Sequence, residues 1–271
     1  MILEELAEYA RIRTAKAKEK LAQEVIREQA LYMADKEATA SFRFEKALRG
    51  QGLSFICEVK KASPSKGVIS ETFPCQEIAR DYEEAGADAV SCLTEPKWFL
   101  GSDRIFCDIR ETILLPMLRK DFTVDEYQLY EARTMGADAV LLLCALLDQE
   151  TIRRYLAVCD RLGMSALVEA HDEAQIRCAL AAGARLIGVN NRNLKNFKVD
   201  FENAVRLRKL VPEEVIFVAE SGVRDAQDIE RLAGLGADAV LIGESLMRAQ
   251  DIKTTLARYR KAAERGKQGN M

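Results

Sequence analysis

The chain is poor in the groups that announce many common chemistries. It has one histidine, His171, and no Cys-x-x-Cys pair, so no zinc or other metal site is expected. A lone histidine just past a strand reads as a surface or supporting residue. No Gly-x-x-x-x-Gly-Lys-Ser/Thr occurs, which excludes a P-loop. Gly234-Leu235-Gly236-Ala237-Asp238-Ala239 meets the loose Gly-x-Gly-x-x-Ala pattern, but it precedes a strand instead of following one, the wrong context for a dinucleotide turn. Charge of one sign is not in excess: 40 basic residues stand against 43 acidic ones, leaving no global basic field for nucleic acid. The longest apolar run, Ala139 to Leu147, is too short to span a bilayer. Glu4 and Glu5 stand where an export signal needs apolar residues. The seven cysteines (Cys57, Cys75, Cys92, Cys107, Cys144, Cys159, Cys178) are odd in number and spread mostly through apolar runs. They read as small hydrophobes in a reducing cytoplasm, not as a disulfide framework.

What is present is a repeat. Gly86-Ala87-Asp88-Ala89-Val90 returns as Gly136-Ala137-Asp138-Ala139-Val140 and as Gly236-Ala237-Asp238-Ala239-Val240, with a looser copy at Gly183-Ala184-Arg185-Leu186-Ile187. Each copy follows a helical pattern and opens an apolar run, as glycine at a helix end before a strand should. With the runs between them, eight strands are predicted: 54–60, 87–93, 114–120, 137–143, 165–169, 185–190, 215–220 and 238–243. Amphipathic stretches at 125–135, 148–162, 172–182, 200–211 and 225–235 separate several of them. Asp125, Asp148, Asp172, Asp200 and Asp225 stand where helix N-caps or first turns belong. Continuous apolar strands alternating with helices mean parallel strands covered on both faces. A doubly wound open sheet is the alternative; eight regular units favour an α/β fold closed as a (β/α)8 TIM barrel. Residues 1–50 are polar and helical, with Leu3, Leu6, Ile12, Leu21, Val25 and Ile26 near helical spacing. They are expected as an N-terminal helical extension packed on the barrel, so that 1–271 forms one domain; a coiled-coil arm is the weaker reading.

In such a barrel the chemistry lies at the C-terminal ends of the strands. Those ends carry Glu58 and Lys60, Lys120, Glu169, Asn190, Glu220 and Gly243. Any one of them fits a solvated rim, but the set as a whole points to a converging polar cavity. Burial and opposite charge should move the Lys and Glu pKa values toward a working range. Ser221-Gly222 and Gly243-Glu244-Ser245, after the seventh and eighth strands, lie where barrels hold phosphate on backbone N–H groups. Arg192 and Lys60 can add positive charge.

These residues sit in longer motifs: Glu58-Val59-Lys60-Lys61-Ala62-Ser63-Pro64-Ser65-Lys66-Gly67, Leu93-Thr94-Glu95, Phe99-Leu100-Gly101-Ser102, Leu118-Arg119-Lys120-Asp121-Phe122, Leu167-Val168-Glu169, Gly188-Val189-Asn190-Asn191-Arg192, Ala219-Glu220-Ser221-Gly222 and Leu241-Ile242-Gly243-Glu244-Ser245-Leu246-Met247. Together they resemble the indole-3-glycerol-phosphate synthase family, in family order at seven of eight strand ends, from Met1 to about Met247. The resemblance implies a cofactor-free lyase of tryptophan biosynthesis. It would take 1-(2-carboxyphenylamino)-1-deoxyribulose 5-phosphate through ring closure, decarboxylation and dehydration.

The resemblance also implies roles. Lys120 matches the general acid of ring closure and Lys60 the cation beside the departing carboxylate. Glu169 and Glu58 are left for dehydration, with Lys60 a rival acid. Asn190, Glu220, Ser221 and Arg192 would hold the polar body of the substrate, and Pro64, Phe99, Phe122 and Leu141 its ring. Ser63, Gly222, Gly243 and the backbone at Glu244 would bind phosphate. Some family members carry Ser at the position of Glu244, so its carboxylate is expected to turn away from the phosphate. Two rivals stand beside this reading. Phosphoribosylanthranilate isomerase opens its first strand toward a catalytic Cys, whereas Cys57 has the opposite strand parity from Glu58 and Lys60. The other is a catalytically silent phosphate-binding barrel. The partner expected is a small molecule and neither nucleic acid nor membrane, with the chain a monomer or at most a weak homodimer.

Overall fold

A computed structural model describes residues 2–36, 42–192 and 198–268. Residues 1, 37–41, 193–197 and 269–271 of the expected domain lie outside the described residues. Eight parallel strands form a closed barrel: β1 (Ser54–Val59), β2 (Ala89–Leu93), β3 (Met117–Lys120), β4 (Ala139–Leu143), β5 (Ser165–Ala170), β6 (Leu186–Asn190), β7 (Ile216–Glu220) and β8 (Ala239–Ile242). Pairing of β1 with β8, from Ser54 beside Ala239 to Cys57 beside Ile242, closes the ring. The TIM barrel expected from the repeat is the fold that forms.

Strand parity divides the apolar residues between two cores. Ile56, Leu118, Leu141, Leu167, Leu186, Val218 and Leu241 fill the barrel interior. Phe55, Cys57, Val59, Met117 and Val140 face the shell between strands and helices. The residue two beyond an inward leucine or valine is again inward, which is how Lys120 follows Leu118, Glu169 follows Leu167 and Glu220 follows Val218. Cys57 points out of the barrel, as its parity predicts.

The repeated Asp has a task beyond ending a helix. Asp88 accepts the backbone N–H of Phe55 at 2.7 Å, Asp138 that of Met117 at 2.9 Å, and Asp238 that of Phe217 at 2.8 Å. Each clamps the start of the preceding strand, so β2, β4 and β8 begin one residue after the Asp, later than predicted. The third strand also begins late, at Met117 and not Leu114. Pro116 has no N–H for the ladder, the N–H groups of Leu114 and Leu115 are taken by Glu83, and Leu114 is 82 % exposed. All five predicted helix-start acids accept backbone N–H groups: Asp125 from Tyr127, Asp148 from Thr151, Asp172 from Gln175, Asp200 from Glu202 and Asp225 from Gln227.

Ahead of the barrel come α1 (Ile2–Lys20), α2 (Gln23–Lys36) and α3 (Arg43–Leu48). Phe44 and Leu48 of α3 enter the interior core beneath the strands' starting ends, and Glu45 pairs with Arg185 at 2.9 Å. Leu6 and Ala10 of α1 join the same core, while Ile26 and Ala30 of α2 join the outer shell. The apolar stripe is only partly buried: Ile12 and Val25 remain exposed.

Asp138 binds Met117 N–H, Arg110 at 3.1 Å and Arg43 at 3.4 Å. Replacing it by alanine strips a buried donor of its acceptor, and Asp138→Ala is expected to cost about 1–3 kcal/mol. In urea unfolding the midpoint should fall with an unchanged m value; an unmoved midpoint would mean the clamp adds nothing.

Candidate active site

The C-terminal mouth of the barrel opens on a cavity of about 850 Å³. Glu58, Lys60, Lys120 and Glu169 line it, as do Asn190, Arg192, Glu220, Ser221, Phe99, Phe122, Pro64 and Leu141, and with them Ser63, Gly222, Gly243 and Glu244. Every residue singled out from sequence is therefore brought to one space. Glu58, Lys120, Leu141, Glu169, Asn190 and Glu220 approach from six different strands by the inward parity set out above, and the others stand on the segments that follow the strands.

At the centre Lys120 Nζ lies 3.7 Å from Glu169 Oε2 and 3.7 Å from Glu220 Oε2. Across from it, Lys60 Nζ donates to Glu58 Oε1. All three carboxylates are at most 4 % exposed. Burial alone would raise the pKa of Glu58, but Lys60, Lys120 and Arg192 outweigh it and hold the carboxyl below its ordinary value. Burial, the charge of Glu169 and a hydrogen bond to it push Glu220 up to about 8, against the pull of Lys120. The expectation that burial and opposite charge move these groups toward a working range fails for Glu58 and for Lys120. Burial disfavours its ammonium, yet Glu220, Glu169 and Glu58 together raise its pKa, so it holds its proton more firmly than a free lysine. The one histidine stands behind this array, with His171 Nε2 3.5 Å from Glu169 Oε1.

Two glycines make room for the acids. A Cβ at Gly188 would come 2.0 Å from Glu220 Oε1, and one at Gly243 would come 2.6 Å from Glu58 Oε1 and 3.1 Å from Lys60 Nζ. Ser221 and Gly222 follow β7 with left-handed backbones, φ 63° and 88°, and Asn191 Nδ2 donates to Ser221 O at 3.0 Å. The loop after β1 forms a small antiparallel ribbon, Ala62–Ser63 with Gly67–Val68, which carries Ser63, Pro64, Ser65 and Lys66 over the cavity. Arg192 Nη1 donates to Ser65 Oγ at 3.4 Å, joining that ribbon to the end of β6. The carboxylate of Glu244 is not simply turned away: it sits beside Arg192 and Lys66, both of the cavity wall. It does so because those cations need a counter-charge.

The apolar side holds what sequence missed. Ile2, Leu3 and Leu6 of α1 line the cavity beside Phe99, Phe122, Leu141 and Leu143. Leu3 and Leu6 stood out only as a helical stripe; their spacing was the one available signal, and it said nothing about where the helix docks. Arg13 fixes that docking by a bidentate pair to buried Asp121, at 2.7 and 3.0 Å. Asp121 also accepts from Thr94 at 2.7 Å and follows Lys120 directly. Phe99 is placed by buried Glu95, which accepts the N–H groups of Lys97, Trp98 and Phe99 at 2.9, 2.7 and 3.0 Å. The rings of Phe99 and Phe122 meet at 6.2 Å. Among the described residues, no three His, Cys, Asp or Glu side chains are grouped to hold a metal ion.

Residues 3–259 match the family model described as indole-3-glycerol phosphate synthase. A protein of that name from Ruminiclostridium cellulolyticum is 53 % identical over 263 residues, covering 97 % of this chain and 100 % of that protein. Another from Endomicrobium trichonymphae is 49 % identical over 256 residues, covering 94 % and 98 %. Among solved structures, 3-hexulose-6-phosphate synthase from Salmonella typhimurium superposes with a TM-score of 0.63 at 15 % identity, over 79 % of this chain and all of that one. At that identity the likeness speaks for the fold alone.

Two measurements check this geometry. The pKa of Glu220 is raised from 4.5 to about 8, so its contribution to stability is complete below about pH 4.5 and is lost as pH rises through about 8. Glu220→Gln removes that loss. The melting temperature of the variant minus that of the parent should therefore climb between those pH values and level off above; a flat difference would deny the raised pKa. Arg13→Ala should cost about 1–3 kcal/mol of stability and raise KM for a ligand that uses the α1 wall. An unchanged KM would separate α1 from the site.

Proposed function

The chain belongs to the indole-3-glycerol phosphate synthase family, and from that premise we propose how its cavity divides the family's carboxy-lyase chemistry among its side chains. The substrate is 1-(2-carboxyphenylamino)-1-deoxyribulose 5-phosphate, the product indole-3-glycerol phosphate, and the route is that of tryptophan biosynthesis. The observation that carries the assignment is the ammonium of Lys120 held midway between two buried carboxyls.

Ring closure joins the aromatic carbon bearing the carboxylate to the ketone carbon, and the ketone oxygen needs a proton as it gains charge. Lys120, firmly protonated, supplies it. The carboxylate then leaves as CO2 and its bonding electrons return to the ring. Lys60 is the cation beside it until it departs, drawn from its contact with Glu58. Dehydration protonates the new hydroxyl and removes a proton from the ring system. Glu58, held ionised by its neighbours, suits the base, and Glu169, hydrogen-bonded to the carboxyl of Glu220 and beside Lys120, suits the relay that passes a proton to the departing hydroxyl. Glu220 carries a proton at neutral pH and so can donate to a substrate oxygen, as Asn190 can through its amide. Phe99, Phe122, Leu141 and Pro64 with Leu3 and Leu6 give the ring an apolar wall. Ser63, Gly222, Gly243 and the Glu244 backbone receive the phosphate. The same reading treats the chain as one barrel domain, a cytoplasmic monomer that takes a small molecule and no nucleic acid. Its seven free cysteines accord with a reducing compartment. Among the described residues, no helix is long and apolar enough to cross a membrane.

Purified protein given the substrate, with no added metal or cofactor, should produce indole fluorescence. Lys120→Ala should lower kcat by about 10²–10⁴-fold, the usual weight of a general acid, and change product binding far less. Retained ligand binding without any indole in the parent protein would leave a silent barrel instead. Equal loss of affinity at unchanged kcat would remove Lys120 from the acid role.

A further inference from the structure

Glu244 opens the short helix Glu244–Met247 directly after Gly243, where an incoming phosphate would meet a like charge. Three cations surround its carboxylate. Lys66 Nζ lies 3.6 Å from Oε1, Arg192 Nη2 3.6 Å from Oε2, and Arg248 Nε 3.5 Å from Oε1. They arrive from three places: the ribbon after β1, the segment after β6 and the residue just beyond the helix. All four side chains line the cavity.

Each contact is longer than the roughly 2.7–2.9 Å of a charge-assisted hydrogen bond, so charge holds the group and no fixed bonding geometry does. The side chains of Lys66, Arg248 and Glu244 are 47 %, 52 % and 31 % exposed, a wet setting in which ion pairs are weak and exchange easily. Three cations less one carboxylate leave two positive charges, which is the charge a phosphate monoester dianion brings in opposite sign.

We propose that the Glu244 carboxylate is a stand-in for the substrate's phosphate, holding Lys66 and Arg192 at the cavity mouth and yielding them when a phosphate monoester arrives. This rests on the phosphate site of the preceding subsection. It makes Glu244 a specificity-tuning residue. Phosphate must displace a competing anion to bind, and the same anion returns to assist release of a product that still carries the phosphate.

Glu244→Gln keeps the size and removes the charge. Equilibrium titration should use indole-3-glycerol phosphate and its counterpart lacking the phosphate, each at low and high salt. The variant is expected to bind the phosphorylated ligand about two- to fivefold more tightly, the scale of a partly exposed charge interaction. Its affinity for the unphosphorylated ligand should be unchanged, and the gain should shrink at high salt. Glu244→Asp, which keeps the charge, should stay near the parent, and melting temperatures report whether each variant is folded. Weaker binding of the phosphorylated ligand by Glu244→Gln would make the carboxylate a positioner of the cations and overturn the proposal; unchanged binding would overturn it as well. If the parent binds the two ligands equally, the phosphate site itself is wrong, a different failure that shows in the parent alone.

Discussion

Taking a carboxylate or an ammonium out of water without a partner costs several kcal/mol, and the mouth of this barrel buries Glu58, Glu169 and Glu220 and half-buries Lys60 and Lys120 around one cavity. Three acids against two lysines would leave an unbalanced negative charge among them. The imbalance falls on Glu220, whose carboxyl is pushed toward the protonated state by burial and by Glu169. With that proton in place the five groups are neutral as a set. The neutral carboxyl is also the form that can donate a hydrogen bond, so the condition for burying the array leaves it able to act as acid as well as acceptor.

Holding such an array demands a frame that does not yield. Parity puts the charged residues on the inner face only if every strand keeps its register, since a slip of one residue would turn Lys120 or Glu169 outward. The Asp clamps at the strand starts fix that register from below, each tying its own strand to the first N–H groups of the one before. Phe44 and Leu48 close the same end with apolar bulk. Gly188 and Gly243 leave the acids space they would otherwise lack. The glycines, the clamps and the plug thus serve the same buried charges from different distances.

The barrel was legible because it repeats. Gly-Ala-Asp-Ala-Val marks the αβ junctions in the sequence, and inward parity then puts each strand-end acid or lysine in the cavity by arithmetic. What stayed hidden depends on contacts between distant segments. Leu3 and Leu6 read as a helical stripe, but their place against Phe99 and Phe122 follows from Arg13 finding Asp121, more than a hundred residues away. Leu114 looked like strand because it is apolar, and only the missing N–H of Pro116 argued otherwise. The pKa of Lys120 rose where burial alone would lower it, since three carboxylates from three separate strands meet it; no local pattern counts them. Repulsion from a ligand says only where the carboxylate of Glu244 should not point, and nothing local in the sequence gathers Lys66, Arg192 and Arg248 around it.

The two ends of the cavity obey different physics. At the apolar end, α1 is fixed by a bidentate pair to Asp121, whose side chain is 2 % exposed, and the Phe99 loop hangs on the fully buried Glu95. Such buried, geometrically fixed contacts hold the apolar wall in place beside the cavity that Lys120 lines. At the other end, Lys66, Arg192, Arg248 and Glu244 share loose contacts in a half-wet rim. For a reaction whose phosphate is unchanged from substrate to product, grip on the phosphate is felt equally by ground state and transition state, and so does not itself raise kcat. Rigidity is useful where bonds change and superfluous where they do not. An apolar, fixed wall beside the reacting carbons and an exchangeable set of charges around the spectator group follow from that difference.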